Sequence, residues 1–296
     1  MSPLRAILAP IDFSEPSRTA LDVAARFARH TGAALHVLHA EDPLLAEAAR
    51  QAGIDLRADT ALELDRFIAS ADSAAALSPA RHVAIGAPVD AILSSARALG
   101  AGLIVVGSRG MSGTERLVFG STTEGVLRHA NLSVLVTPPV WTAGRPGEAG
   151  LAGSGPIVAA VDFSPASVAA AGYACELASS VGTTLEIVHV VPDIPVLTRW
   201  HAHAASAVHE RVQTARTELE RLAAGLGCAA TVNTAVRTGA VADSIADTAA
   251  PSGVRQPILV MGRRSSGERG GAPGTTAYRV LTLARVPVFM HVGHRA

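Results

Sequence analysis

The chain of 296 residues is 49% hydrophobic and 17% charged, with 25 basic and 25 acidic side chains and no formal net charge. That is ample for two domains with proper cores, and the lack of a basic excess argues against a nucleic-acid partner. All 25 cationic side chains are Arg and none is Lys, so a P-loop, which needs its Lys, is excluded and phosphate must be held by backbone N–H groups, hydroxyls or Arg.

The run from Met1 to Asp12 is too short in apolar residues to resemble a secretory leader. No apolar segment approaches the length that spans a bilayer. Cys175 and Cys228 are too few and too far apart to read as a disulfide framework, and their apolar, helix-like surroundings predict two buried, reduced thiols. A soluble cytoplasmic protein, away from membranes, is expected.

In chain order, Arg5–Ile11 reads as a first strand and Glu15–Thr31 as a helix. Leu35–Ala40 is a second strand, followed by a helical region to about Ala76 that breaks near Gly53. Arg81–Ile85 is a third strand, Val89–Leu99 a helix and Leu103–Val106 a fourth strand. Gly120–His129 is a last helix and Val134–Thr137 a fifth strand. Short continuous apolar strands separated by helices indicate a parallel sheet covered on both faces, and right-handed crossovers make it a doubly wound α/β domain.

The chain is then written a second time. "ILAPIDFSEPS" from Ile7 is answered by "IVAAVDFSPAS" from Ile157, and "ALHVLHAEDP" from Ala34 by "TLEIVHVVPD" from Thr184. "GAPVDAI" from Gly86 is answered by "GAVADSI" from Gly239, and "LIVVGSRG" from Leu103 by "ILVMGRRS" from Ile258. The order is kept throughout, as in a tandem duplication. The reading is a first domain over 1–141, a Gly- and Pro-rich linker over 142–155 and a second domain over 156–296.

In doubly wound sheets ligands bind at the carboxyl ends of strands where the strand order reverses. If strands one and four flank that reversal, the loop carrying Pro10, Asp12 and Ser14 faces the loop "GSRGMSGTERLVFGST", Gly107 to Thr122. Glycines let backbone approach a ligand closely. Gly120, Ser121 and Thr122 stand where a helix begins, so unpaired N–H groups and the positive end of the helix dipole make a phosphate site there. Arg109 or Arg116 can supply positive charge, and Asp12 can accept hydrogen bonds from a ribose or an amine. Each feature alone has a plain explanation as a turn or a helix cap; three of them converge on one crevice.

The spacing Gly107-x2-Gly110-x9-Gly120-Ser121 resembles the pattern of the ATP-binding universal stress proteins, and "ILAPIDFSEPS" looks like that family's first strand with its aspartate. The resemblance covers the whole chain as two tandem family domains. It implies two five-stranded parallel sheets in the order 3-2-1-4-5, ATP and often Mg²⁺ at the crevice, and pairing of domains through the edge strand five. It also implies that Pro10 and Asp12 meet the adenosine end and Ala40 touches the adenine through its backbone. Val106, Gly107, Arg109 and Gly110 would then line the ribose and phosphates, and Gly120, Ser121 and Thr122 hold the phosphates.

The second copy departs from the pattern. Asp162 is kept, but Ser265 stands where the second glycine belongs, only eight residues separate it from Gly274, Pro273 removes an N–H ahead of the helix, and Ala160 replaces Pro10. An altered or empty site is expected, although Gly274, Thr275, Thr276 and three nearby arginines can still catch an anion.

His201, His203 and His209 do not stack on one helix face as metal ligands would, and read as a solvated face. His39 and His189 recur at the ends of the second strands and read as core or pocket-edge residues. Asp90 and Asp243 read as first-turn carboxylates. Ser108 lies in GSRG, not in the elbow of a Ser hydrolase. The functional expectation is a nucleotide-binding regulatory protein acting with its two domains paired or as a homodimer. The alternatives are a slow ATPase and a nucleotide-free stress protein acting by protein contacts alone. Without Lys, an evident general base or a second acidic cluster, efficient phosphoryl transfer is not expected.

Overall fold

The computed structural model describes residues 4–108, 120–139, 141, 151, 154–193, 201–250, 256–263 and 274–293. The loop after the fourth strand, with Arg109 and Gly110, and most of the stretch read as a linker lie outside the described residues, as do Arg264, Ser265, Arg269 and Pro273. The chain divides into two compact units that follow the sequence repeat.

In the first unit, β1 (Ala6–Pro10), β2 (Ala34–Glu41), β3 (Ala80–Ile85), β4 (Leu103–Gly107) and β5 (Ser133–Thr137) alternate with helices. These are α1 (Glu15–Thr31), α2 (Pro43–Gln51), α3 (Leu56–Ala69), the four-residue α4 (Asp72–Ala75), α5 (Pro88–Ala98) and α6 (Ser121–His129). All neighbouring strands are parallel, in the order β3-β2-β1-β4-β5.

The second unit repeats the plan with β6 (Ile157–Ala160), α7 (Pro165–Val181), β7 (Leu185–Val191), α8 (His201–Gly225), β8 (Val232–Thr238) and α9 (Val241–Thr248). It ends with β9 (Ile258–Gly262), α10 (Thr275–Leu283) and β10 (Val288–His291), and its order is β8-β7-β6-β9-β10. Each unit is therefore the doubly wound parallel sheet expected from the sequence, in the 3-2-1-4-5 order that the family resemblance implies.

The central strands show why. Every residue of β4 and β5 is buried, so no side of either strand meets water and a polar-apolar alternation would have no use there. Helix α1 covers one face of the sheet with Leu21, Val23, Ala24 and Phe27, starts at the cap Ser14 and stops at Gly32, whose φ of 72° is a left-handed C-terminal cap. Its counterpart α7 uses Ser164 and Gly182 in the same two roles. The helical region after β2 does break at Gly53, which has φ 70°, and again beyond Ala69. The second unit runs α8 without a break over the equivalent stretch.

The cysteines correct the expectation of two free thiols. Cys175 of α7 and Cys228 of the turn before β8 form a disulfide, with Cα atoms 5.5 Å apart. Parallel pairing of β8 beside β7 brings that turn to the end of α7, where Ala230 N–H donates to Ser179 Oγ at 3.1 Å. The partners are 53 residues apart, so only the crossover joins them and no local spacing announces it. Closing a loop of that length removes enough chain entropy to stabilise the fold by about 4 kcal/mol. Reduction, or Cys228→Ser, is therefore expected to lower the unfolding midpoint of the second unit, and Cys228→Ser to abolish its dependence on reductant. Chemical denaturation with and without a phosphine reductant checks this.

On the first sheet, His36 Nδ1 and His82 Nε2 lie 3.0 Å apart across β2 and β3. Burial, and then the charge of His36, holds the His82 imidazole below its ordinary pKa, and burial does the same to His30. With a depressed folded value, the unfolded chain takes up protons first as pH falls through about 6.5. This part of the stability is present above that pH and lost below it. The urea midpoint is expected to fall between pH 7.5 and 5.5, and to fall less in His82→Gln; equal midpoints would contradict the assignment.

Candidate functional site

The order of the first sheet reverses between β1 and β4, which run side by side from Ile7 opposite Leu103. Their carboxyl ends therefore diverge into separate loops and leave a crevice. After β1 the chain turns through Asp12, Phe13 and Ser14, with Phe13 in the left-handed region at φ 63°. Ser14 is the cap of α1: its Oγ accepts from Ser17 N–H at 3.3 Å. Asp12 braces it, its Oδ1 accepting from Ser14 N–H at 3.1 Å and from the Ser14 hydroxyl at 2.5 Å. The carboxylate at the strand end thus orients the cap and does not itself cap the helix.

The opposite wall is tied to β4. Thr123 Oγ1 donates to the Gly107 carbonyl at 2.7 Å, and Gly120 N–H donates to the Ser108 carbonyl at 3.1 Å. Helix α6 is thereby anchored at the end of β4. Its cap, Gly120, has ordinary extended geometry (φ −67°, ψ 147°) and contributes no side-chain cap hydrogen bond. The N–H groups of its first turn and the positive end of its dipole are turned toward the crevice.

Between these walls lies a cavity of about 140 Å³, and Pro10, Asp12, Ala40, Val106, Gly107, Gly120, Ser121 and Thr122 all line it. The structure brings together eight of the ten residues picked from sequence; Arg109 and Gly110 lie outside the described residues. Sequence reasoning missed Pro88 and Ile92 of α5, together with Ser17, Leu38 and Thr123. The repeat "GAPVDAI" and the run Ser121-Thr122-Thr123 were the available signals for Pro88 and Thr123. His39 sits at the pocket edge, its Nδ1–H donating to the Ile11 carbonyl at 3.0 Å. A carbonyl can only accept, so the tautomer is fixed. One end of the cavity is thus polar, lined by Gly120, Ser121 and Thr122 at the start of α6, and the other is apolar; Asp12 is the charged group among the described lining residues.

In the second unit the Asp162 carboxylate likewise accepts from Ser164 N–H and its hydroxyl, at 3.0 and 2.5 Å. Burial pushes its pKa up, but hydrogen bonds from Ser164 and Ser167 outweigh that and hold it below the ordinary value. Gly262 lies so close to α7 that a Cβ there would come within 2.4 Å of the Ala166 backbone. Of the three arginines expected to help catch an anion, Arg263 is 4% exposed, with its pKa pushed down by burial to about 10. A buried guanidinium is no open arm for a ligand. The other two, Arg264 and Arg269, lie outside the described residues.

Asp90, Asp243 and His209 do not line the first unit's cavity. No group of three metal-ligating side chains occurs among the described residues; His209 is exposed, and the side chains of His201 and His203 are not among those described. Asp90 is in the first turn of α5, and Asp243, in that of α9, pairs with Arg279 of α10 at 2.9 Å. Among the described residues no helix is long and apolar enough to cross a membrane.

Comparison with known proteins agrees with this architecture. The Universal stress protein family profile matches twice, over residues 3–138 and 154–291. The Bacillus subtilis (strain 168) universal stress protein YxiE is 30% identical over 142 residues, which span 44% of this chain and 96% of that protein. The crystal structure of a universal stress protein from Archaeoglobus fulgidus DSM 4304 superimposes over 100% of both chains with a TM-score of 0.68 at 22% identity. A putative universal stress protein from Pseudomonas aeruginosa UCBPP-PA14 covers 98% of this chain and 93% of its own with a TM-score of 0.57 at 20% identity. With the family profile matching both halves and the fold repeating in each, the chain belongs to the universal stress protein family, as two tandem copies of the family's domain.

Proposed function

We propose that the first unit binds an adenine nucleotide, ATP with Mg²⁺, and that the protein acts as a nucleotide-responsive regulator and not as an enzyme. The observation that carries this reading is the cavity at the β1–β4 reversal, where the start of α6, without a side-chain cap, and an apolar compartment line the same space. The first-turn N–H groups of α6 and the hydroxyls of Ser121 and Thr122 suit the phosphates. Ile11, Leu38, Ile92 and Val106 suit the flat apolar face of a base, and Asp12 suits a ribose hydroxyl.

Asp12 is the carboxylate at this cavity, and its Oδ1 already receives two hydrogen bonds. A divalent cation would therefore arrive with the nucleotide, held chiefly by phosphate oxygens and water. Its chemistry there is charge neutralisation. Among the described lining residues Asp12 and His39 are the titratable side chains, a set that suits binding better than efficient phosphoryl transfer. A slow ATPase remains the alternative, and turnover above about one per second would favour it. The reading extends to a cytoplasmic protein whose two domains pair through their fifth strands, or which forms homodimers. The Cys175–Cys228 bond argues the other way on location, since cytoplasmic thiols are ordinarily kept reduced.

Titration calorimetry with Mg-ATP checks the site. Gly120→Val is expected to abolish binding with the fold intact, because its backbone geometry admits any residue. Asp12→Ala is expected to weaken binding and Asp162→Ala to leave it unchanged; wild-type affinity in all three would refute the assignment.

A second test concerns the cavity wall. A Cβ on Gly125 of α6 would lie 2.5 Å from Val89 Cγ2 of α5, the helix that carries Pro88 and Ile92 into the cavity. Gly125→Ala gains up to about 1 kcal/mol of helix propensity but overpacks the contact at about 1–3 kcal/mol. It is expected to displace α5 and weaken Mg-ATP binding, and Val89→Ala in the same chain to restore it.

A further inference from the structure

The two units share one strained feature and finish it differently. Phe13 and Phe163 both sit at φ 63°, a conformation bulky residues avoid. Each ring lies against a histidine of the second strand: Phe13 against His39 at 4.6 Å between centroids, and Phe163 against His189 at 4.7 Å. Each histidine donates from Nδ1 to the backbone carbonyl of the residue before the aspartate, His39 to Ile11 at 3.0 Å and His189 to Val161 at 2.8 Å. In the first unit the aromatic pair is covered, because Phe67 of α3 meets Phe13 edge-on at 5.6 Å and Arg18 lies over the Phe67 ring at 5.0 Å.

In the second unit no aromatic ring among the described residues covers the Phe163–His189 pair as Phe67 covers Phe13. Helix α8 presents Thr214, Ala215 and Glu218 over Phe163 and His189, and a cavity of about 300 Å³ remains between them. The volume falls at the lower end of small-molecule sites. Its floor is the Phe163 and His189 rings, and Val191 and Ala215 make apolar walls. The charged lining residues among those described are Glu210, Arg211 and Glu218, the two glutamates about 12 Å of helix rise apart on α8. Neither glutamate forms an ion pair among the described residues. An aromatic floor under two carboxylates attracts a positive charge from both directions, through the ring face and by direct ion pairing.

We propose that this cavity is a binding site for a small organic cation with an apolar body, such as a protonated arylalkylamine. It is separate from the nucleotide crevice and does not depend on it. The ammonium pairs with one of the two glutamates, Glu210 or Glu218, in the field of the other, and the apolar body rests on Phe163 beside Val191 and Ala215.

The test uses 2-phenylethylammonium and its neutral analogue 2-phenylethanol, titrated into the full chain at neutral pH by ligand-observed NMR. The cation is expected to bind at least five-fold more tightly than the alcohol, and to weaken as salt is raised. Glu210→Gln with Glu218→Gln, both exposed positions, is expected to remove that preference without disturbing the fold. Ala215→Phe, which supplies a ring like that of Phe67, is expected to block both probes. Asp12→Ala, in the other cavity, is expected to change nothing. No measurable binding of the cation, equal binding of the alcohol, or an unchanged preference in the double glutamine variant would overturn the proposal.

Discussion

The first unit is organised by the point at which β1 and β4 lie side by side while their connections leave in opposite directions. Parallel pairing forces both strand ends to one edge of the sheet, so two loops and one helix start converge where no strand can fill the gap. Two short hydrogen-bonded links then fix the gap's shape. Asp12 braces the cap of α1 through Ser14, and Thr123 ties the first turn of α6 to the carbonyl of Gly107. Helix α6 is thereby held with its N-terminal N–H groups toward the crevice, where a field from the helix dipole is strongest.

Duplication turns this arrangement into an internal control. Both copies keep the strand order, the Asp-Phe-Ser turn, the serine cap and the histidine that closes on the turn's backbone. What differs lies at the strand ends and beyond them. The first copy has the glycine spacing and Pro10; the second has Ala160, a buried Arg263 and an unbroken α8. The shared parts are those that the sheet needs. The parts that differ decide what each crevice can hold, and the Cys175–Cys228 bond belongs to the second copy alone.

Much of this was legible in the sequence because it is local. Continuous apolar runs such as Leu103–Val106 name buried parallel strands, and repetition ties the two halves together. Eight of the chosen site residues converge because motif spacing and strand ends are both properties of short segments. What the sequence did not disclose depends on the crossovers. Pro88 and Ile92 enter the cavity only because α5 packs against α6 through Gly125, and Cys175 meets Cys228 only after β8 has aligned with β7. The identity of the α1 cap turned on a single hydrogen bond, since Asp12 and Ser14 are both good caps and side-chain geometry alone chooses between them. The cavity beside α8 was equally silent, because among the described residues no ring of α8 stands where Phe67 of α3 stands.

The central claim is that a nucleotide occupies the first copy and not the second. The most direct measurement is the number of moles of adenine nucleotide bound per chain at saturating Mg-ATP, counted by equilibrium dialysis with chromatographic identification after acid release. The account predicts about one per chain. A value near two would show that the second loop compensates for its altered motif, and a value near zero would show that the β1–β4 crevice is not a nucleotide site.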